Sequence, residues 1–178
     1  MKKFIKGLAL VMLVACGLVG LTSCNKYNFY KDWTDAGADL EKYNHIFKAI
    51  TLEEAKAKKD ANETFILVIG TSQSSSAVAS INMLQIQADY LEFKGTVYFV
   101  DSTDYLGKGA TRIEVKEALG IKALSHLTTA DLIVVTYKDG VIQLDTSDDK
   151  SEMLEFFETE YATLSMEAIA YYLFRDFK

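Results

Sequence analysis

Phe65-Ile66-Leu67-Val68-Ile69-Gly70 is the stretch whose reading decides the fold. A strand with one wet face alternates apolar and polar residues, whereas a strand covered on both faces reads as an unbroken apolar run. This run therefore predicts a central strand of a largely parallel sheet, with helices on either side. The next twenty residues agree with it. Thr71 to Ser76 is a polar loop. Ala77, Ile81, Leu84, Ala88 and Leu91 then recur at helical spacing and define one apolar face.

Working outward, the same alternation of strand and helix continues. Upstream, Ile46-Phe47-Lys48-Ala49-Ile50 is a short strand. Thr51 and Glu54 form a capping box that opens a helix to about Lys59, and Asn62-Glu63 turn the chain into the central strand. Downstream, Thr96 to Val100 is a strand, Asp101 to Gly109 is a polar loop, and a helix from about Thr111 to Leu119 stops at Gly120. Leu132 to Tyr137 is a further strand. Asp139-Gly140 is a hairpin turn that returns through Val141 to Leu144. Helical patterns close the chain near Ser151–Glu160 and Leu164–Phe174. The order is β-α-β-α-β-α-β-β-α, which predicts mostly parallel pairing and a terminal antiparallel hairpin.

That order is similar to the thioredoxin fold. Three local features carry the resemblance, which covers about residues 45–160. The strand Phe65–Gly70 leads through Thr71-Ser72-Gln73 to a helix starting at Ser74-Ser75-Ser76-Ala77, the junction where that family holds Cys-x-x-Cys. Gly120-Ile121-Lys122-Ala123-Leu124-Ser125 resembles the approach to its cis-proline. Tyr137-Lys138-Asp139-Gly140-Val141 resembles its final hairpin. The resemblance implies an α/β, three-layer sandwich with a mixed central sheet, a C-terminal β-hairpin and flanking helices.

The departures from that family bear on chemistry. Its cysteines would fall near Ser74 and Ala77, within one residue of register. The place of the cis-proline falls to Ser125 or, counted back from the final strand, to Asp131, and His126 to Asp131 remodel the loop. A helix N-terminus lowers a cysteine pKa because its free amides and dipole favour thiolate. A serine in that position, with a far higher pKa, does not become a redox centre. A nucleophilic serine assisted by His126 and Asp131 is conceivable, but the chain has no Gly-x-Ser-x-Gly elbow. The bland reading is that Ser74 caps the helix. His45 reads as a strand-edge residue. Two isolated histidines without acids at ligand spacing make a poor metal site. Asp145-Thr146-Ser147-Asp148-Asp149 lacks the glycine and terminal glutamate of a calcium loop and reads as a helix start.

The N-terminus states an address. Lys2, Lys3 and Lys6 precede an apolar run from Ile5 to Leu21, which ends in Leu21-Thr22-Ser23-Cys24. A basic start, an apolar middle and small residues at the end are the parts of a secretory signal. The tetrad resembles the lipobox of bacterial lipoproteins, which implies cleavage before Cys24, its diacylation and export. The run is at the short limit for spanning a bilayer, so an uncleaved anchor is the competing reading. The expected organisation is a signal over 1–23, a lipidated tether over 24–44 and a thioredoxin-like domain with a helical extension over 45–178. Within the tether, Tyr27, Phe29, Tyr30 and Trp33 show no clear period. They can lie at headgroup level, meet a partner or pack on the domain as a flap.

Composition narrows the function classes. The chain has 178 residues, 49% of them hydrophobic, enough for one packed domain after 23 are removed. Net charge is −6, and loss of the three signal lysines takes it to −9. Such a surface repels nucleic acid and anionic headgroups, so membrane attachment is expected through the lipid. Both cysteines, Cys16 and Cys24, are consumed by processing, leaving no thiol or disulfide. Proline is absent.

Together these observations predict a lipid-anchored protein on the extracytoplasmic face of the cell membrane. It is expected to need no cofactor, metal or nucleic acid and to act as a noncatalytic binding or accessory module. The alternative is an oxidoreductase-related envelope protein that uses a partner's cysteines. An envelope protein or peptide is the expected partner. The candidate surface is Ser74, Ser75, Ser76, Ser125 and His126.

Overall fold

The structure, a computed structural model, describes residues 28–103, 109–122, 132–147 and 166–177. Elements run α1 (Phe29–Asp35), β1 (Phe47–Ala49), α2 (Leu52–Asp60), β2 (Phe65–Gly70), α3 (Ser75–Tyr90), β3 (Val97–Asp101), α4 (Gly109–Leu119), β4 (Ile133–Lys138), β5 (Val141–Asp145) and α5 (Met166–Asp176). The five strands form one sheet in the order β1-β3-β2-β4-β5. β1, β3 and β2 are parallel, while β4 pairs antiparallel with both β2 and β5. This is the α/β, thioredoxin-like three-layer sandwich with a mixed sheet and a β4–β5 hairpin.

β2 is central because its sequence needs cover on both faces. Val68 pairs with Phe99 of β3 on one side and Val134 of β4 on the other, and all six residues of β2 are buried. Ile66 and Val68 point into a layer shared with Phe29 and Trp33 of α1, Ile81 and Leu84 of α3, and Leu173 and Phe174 of α5. Phe65, Leu67 and Ile69 point the other way, against Ala55 of α2 and Val115 and Leu119 of α4. The period-2 alternation of strand side chains sends one apolar run into two cores.

Local chemistry sets the element ends. The Thr51 hydroxyl accepts from the Glu54 amide at 3.1 Å, and the Glu54 carboxylate accepts from the Thr51 amide at 2.8 Å, completing the capping box. Asp139 and Gly140 both have positive φ, 53° and 75°, as a tight hairpin with a primed turn requires. Gly140 also lies against the end of α2. A Cβ there would stand 2.6 Å from the Lys59 carbonyl oxygen.

Two expectations change. Phe29–Asp35, read as aperiodic tether, is a helix whose N-cap is Asn28. Phe29 and Trp33 are buried in the first core layer. A seven-residue helix shows too little of its period to be recognised, although the apolar pair at i and i+4 was there. The first core needed ring volume beside Phe99, and Trp33 fills it edge-on at 5.4 Å. Asp145 does not start a helix but ends β5. Its buried carboxylate accepts from the Lys122 amide at 2.9 Å, the Ser147 amide at 2.9 Å and the Ser147 hydroxyl at 2.5 Å. His45 lies just before the edge strand β1, as read, and is partly buried among aromatic rings. The signal segment with Cys24 and the helix read over Ser151–Glu160 lie outside the described residues.

Candidate functional site

In open α/β sheets the crevice beyond the carboxyl ends of parallel strands is where ligands bind. Here that edge is formed by the ends of β2 and β3 and the start of α3. The Ser102 amide donates to the Gly70 carbonyl at 2.8 Å, so the two strands stay paired to their last residue. The chain then leaves β2 through Thr71, which is buried. Its hydroxyl shares a 2.8 Å hydrogen bond with that of Thr103 and accepts from the Gln73 amide at 3.3 Å. Thr103 in turn donates from its hydroxyl, at 2.7 Å, and its amide, at 3.1 Å, to Asp101 Oδ1. A chain of hydroxyls thus ties the β2–α3 loop to the end of β3.

Ser74 is the N-cap of α3. Its Oγ accepts from the Ala77 amide at 3.3 Å and lies 3.2 Å from the Ser76 hydroxyl. The spacing from the N-cap Ser74 to Ala77 equals that of Cys-x-x-Cys. Ser74 Oγ is engaged as a cap. Ser75 is exposed at the first helical position, Ser76 is half-buried and Ala77 is buried. No residue from Thr71 to Ser76 is charged. The junction offers hydroxyls and helix amides, which recognise acceptors such as a backbone carbonyl or a carboxylate.

Ser125, His126 and Asp131 lie outside the described residues, so their place relative to Ser74 and Ser75 is not part of the geometry. The chain's entry to and exit from that segment are described. Lys122 is tied to Asp145 at the end of β5, and Leu132, buried, packs on Gly70 at the end of β2. Sequence reading missed Thr71, Thr103 and Asp101 as a unit. Their hydrogen bonds cross 32 positions of sequence, and only the β2–β3 register brings them together.

Among the described residues two ionisable rings have shifted affinities, and neither is at the junction. Burial holds the Tyr137 hydroxyl well above the usual tyrosine range, aided by the Asp145 carboxylate, and the hydroxyl donates to the Leu119 carbonyl at 2.8 Å. Burial pushes His45 below the ordinary histidine value. A cleft of about 330 Å³ opens between α3 and α5, lined by Gln87, Glu167, Ala168, Tyr171 and Tyr172. Ala168 and Tyr172 are engaged in further contacts of their own, so this cleft is not an open set of ligand groups. Among the described residues no three His, Cys, Asp or Glu side chains cluster as metal ligands, and no helix is long and apolar enough to cross a membrane. No protein-family model matches the chain, and no curated protein matches it at a significant level.

Proposed function

We propose that this protein is a lipid-anchored, extracytoplasmic binding module whose thioredoxin-like domain has no thiol chemistry of its own. The observation that carries the reading is Ser74. It stands at the N-cap of α3, where the fold's redox cysteine would be, and its hydroxyl is engaged by the Ala77 amide. No cysteine follows Cys24 in the chain. What the junction retains is a set of hydroxyl and amide groups beside the sheet's carboxyl edge, suited to an extended peptide or a partner's loop. Anchoring rests on Leu21-Thr22-Ser23-Cys24 behind a basic and apolar run. The membrane is met through lipid, and the partner is an envelope protein or peptide.

Two measurements on the expressed chain test this reading. Cells labelled with an acyl analogue should incorporate label into wild type and not into Cys24→Ala. Purified wild type should not accelerate insulin disulfide reduction by dithiothreitol. Equal labelling of the two chains would remove the anchor, and catalysis above the reductant background would remove the noncatalytic reading.

A further inference from the structure

The N-terminal arm, residues 28–44, closes over one titratable ring. The His45 ring centroid lies 5.6 Å from Phe29, 6.1 Å from Tyr30 and 6.4 Å from Phe47, with Tyr30 stacked nearly parallel at 5°. Its Nδ1 is buried and, among the described residues, has no hydrogen-bond partner. A neutral imidazole tolerates this setting. An imidazolium brings a second N–H donor and a full charge into a place where the described residues offer no counter-ion and only the Phe47 backbone as a partial acceptor. Stacked rings offer a cation some return, about 0.5–1 kcal/mol at exposed sites, which does not replace lost hydration.

The groups around the ring are few. From α1, Tyr30 is the titratable side chain that faces it, and from β1 Phe47 is apolar. From α3 comes Gln85, which is neutral. Its Oε1 accepts from the Ile46 amide at 3.1 Å, and its amide donates to Asp89 at 3.0 Å. Glu41, Lys42 and Tyr43, which precede the ring in sequence, are exposed. Among the described residues no carboxylate or cation acts on the imidazole. Burial lowers its proton affinity, and the Phe47 backbone opposes this in part, without closing a bond to Nδ1.

We propose that His45 is an acid-sensitive latch, whose protonation undocks the N-terminal arm while the β2–β3–β4 core stays folded. The arm is the natural place for partial opening. It is held by Phe29 and Trp33, by the Asp39 amide on Asn82 Oδ1 at 2.8 Å and by the three-residue edge strand β1. Terminal elements of this kind open before a central sheet does. The sign follows from the direction of the shift. Above the free value of about 6.5 the ring is neutral whether docked or released, and docking is at full strength. As pH falls from there toward the lower docked pKa, the released arm binds more protons. Docking then weakens by about tenfold for each pH unit and levels off below the docked pKa. Released residues extend by at most about 3.3–3.6 Å each. With the chain anchored at Cys24 as proposed above, release of residues 28–44 adds at most some tens of ångströms to the domain's reach from the membrane.

Full-length chain in detergent tests this by amide exchange, corrected for intrinsic rates, between pH 8 and 5. Trp33 is the sole tryptophan, so its emission reports the arm directly. Protection of the Ala36 and Ala38 amides should fall by up to about tenfold per unit below pH 6.5. Trp33 emission should move to the red, while Val68 and Phe99 keep their protection. His45→Phe should lose the acid step and His126→Ala should keep it. Unchanged protection in wild type, the same step in His45→Phe, or parallel loss at Val68 would each overturn the proposal. Should His45→Phe fail to fold, magnetic-resonance titration of wild type decides. A His45 pKa at or above 6.5 contradicts the latch.

Discussion

Leu132 lies so close over Gly70 that a Cβ on the glycine would overlap its side chain. Gly70 ends the central strand, and Leu132 immediately precedes the antiparallel strand beside it. Their contact fixes where the chain re-enters the sheet next to the α3 junction. Overpacking costs about 1–3 kcal/mol where neighbours are buried, and Leu132 is. Gly70→Ala should therefore lower stability by about 1 kcal/mol or more, and the loss should shrink in a Leu132→Ala background. Urea unfolding of the four chains of the cycle measures it. An undiminished loss in the double variant would place the cause elsewhere.

Val68→Asp should be severe. Val68 is fully buried between Phe99 and Val134, in an apolar layer with no partner for a carboxylate. A loss above about 4 kcal/mol is expected, enough to unfold a domain of ordinary stability. A thermal melt showing less than about 1 kcal/mol would mean that β2 is not central.

Ser74→Ala should cost about 1 kcal/mol through loss of the α3 cap, and Ser74→Asp should restore it, because an acid caps and complements the helix dipole. The melt separates this from a chemical role. If Ser74→Asp is as destabilised as Ser74→Ala, capping is not what the hydroxyl does.

Gly140→Ala joins two penalties, a left-handed φ of 75° and a Cβ pressed on the Lys59 carbonyl and the Asn62 side chain. Each is about 1–2 kcal/mol or more, so a loss of at least about 2 kcal/mol is expected in denaturant unfolding. Asn62→Ala would relieve only the side-chain overlap. Full rescue by it would show that backbone strain plays no part.

The central strand, the apolar face of α3, the Thr51–Glu54 capping box and the Asp139-Gly140 turn were legible because each is written in neighbouring residues at the period of its element. Ala77, Ile81, Leu84 and Ala88 are all buried, as their spacing requires. That the arm's aromatics pack on the domain was legible, but its helix was not, because the pairing of Phe29 and Trp33 acquires meaning only beside Phe99, which lies far along the chain on β3. Asp145 reads as a helix start until the Lys122 amide, 23 positions earlier, is brought to its carboxylate. For the same reason only the local part of the α3 junction was legible. Ser74 to Ser76 follow from the strand-to-helix junction, but the hydroxyl chain through Thr71, Thr103 and Asp101 depends on strand register.

The central claim is that the exposed start of α3 recognises a partner by contact and not by thiol exchange. Ser75 tests it most directly, because it is exposed at the first turn and is not the cap. Full-length wild type, Ser75→Trp and His126→Ala are compared as baits in detergent-solubilised envelope, after melts have shown equal stability. The account expects both variants to recover clearly less of the partner that wild type retains. Equal yields of the same partner on all three would contradict it.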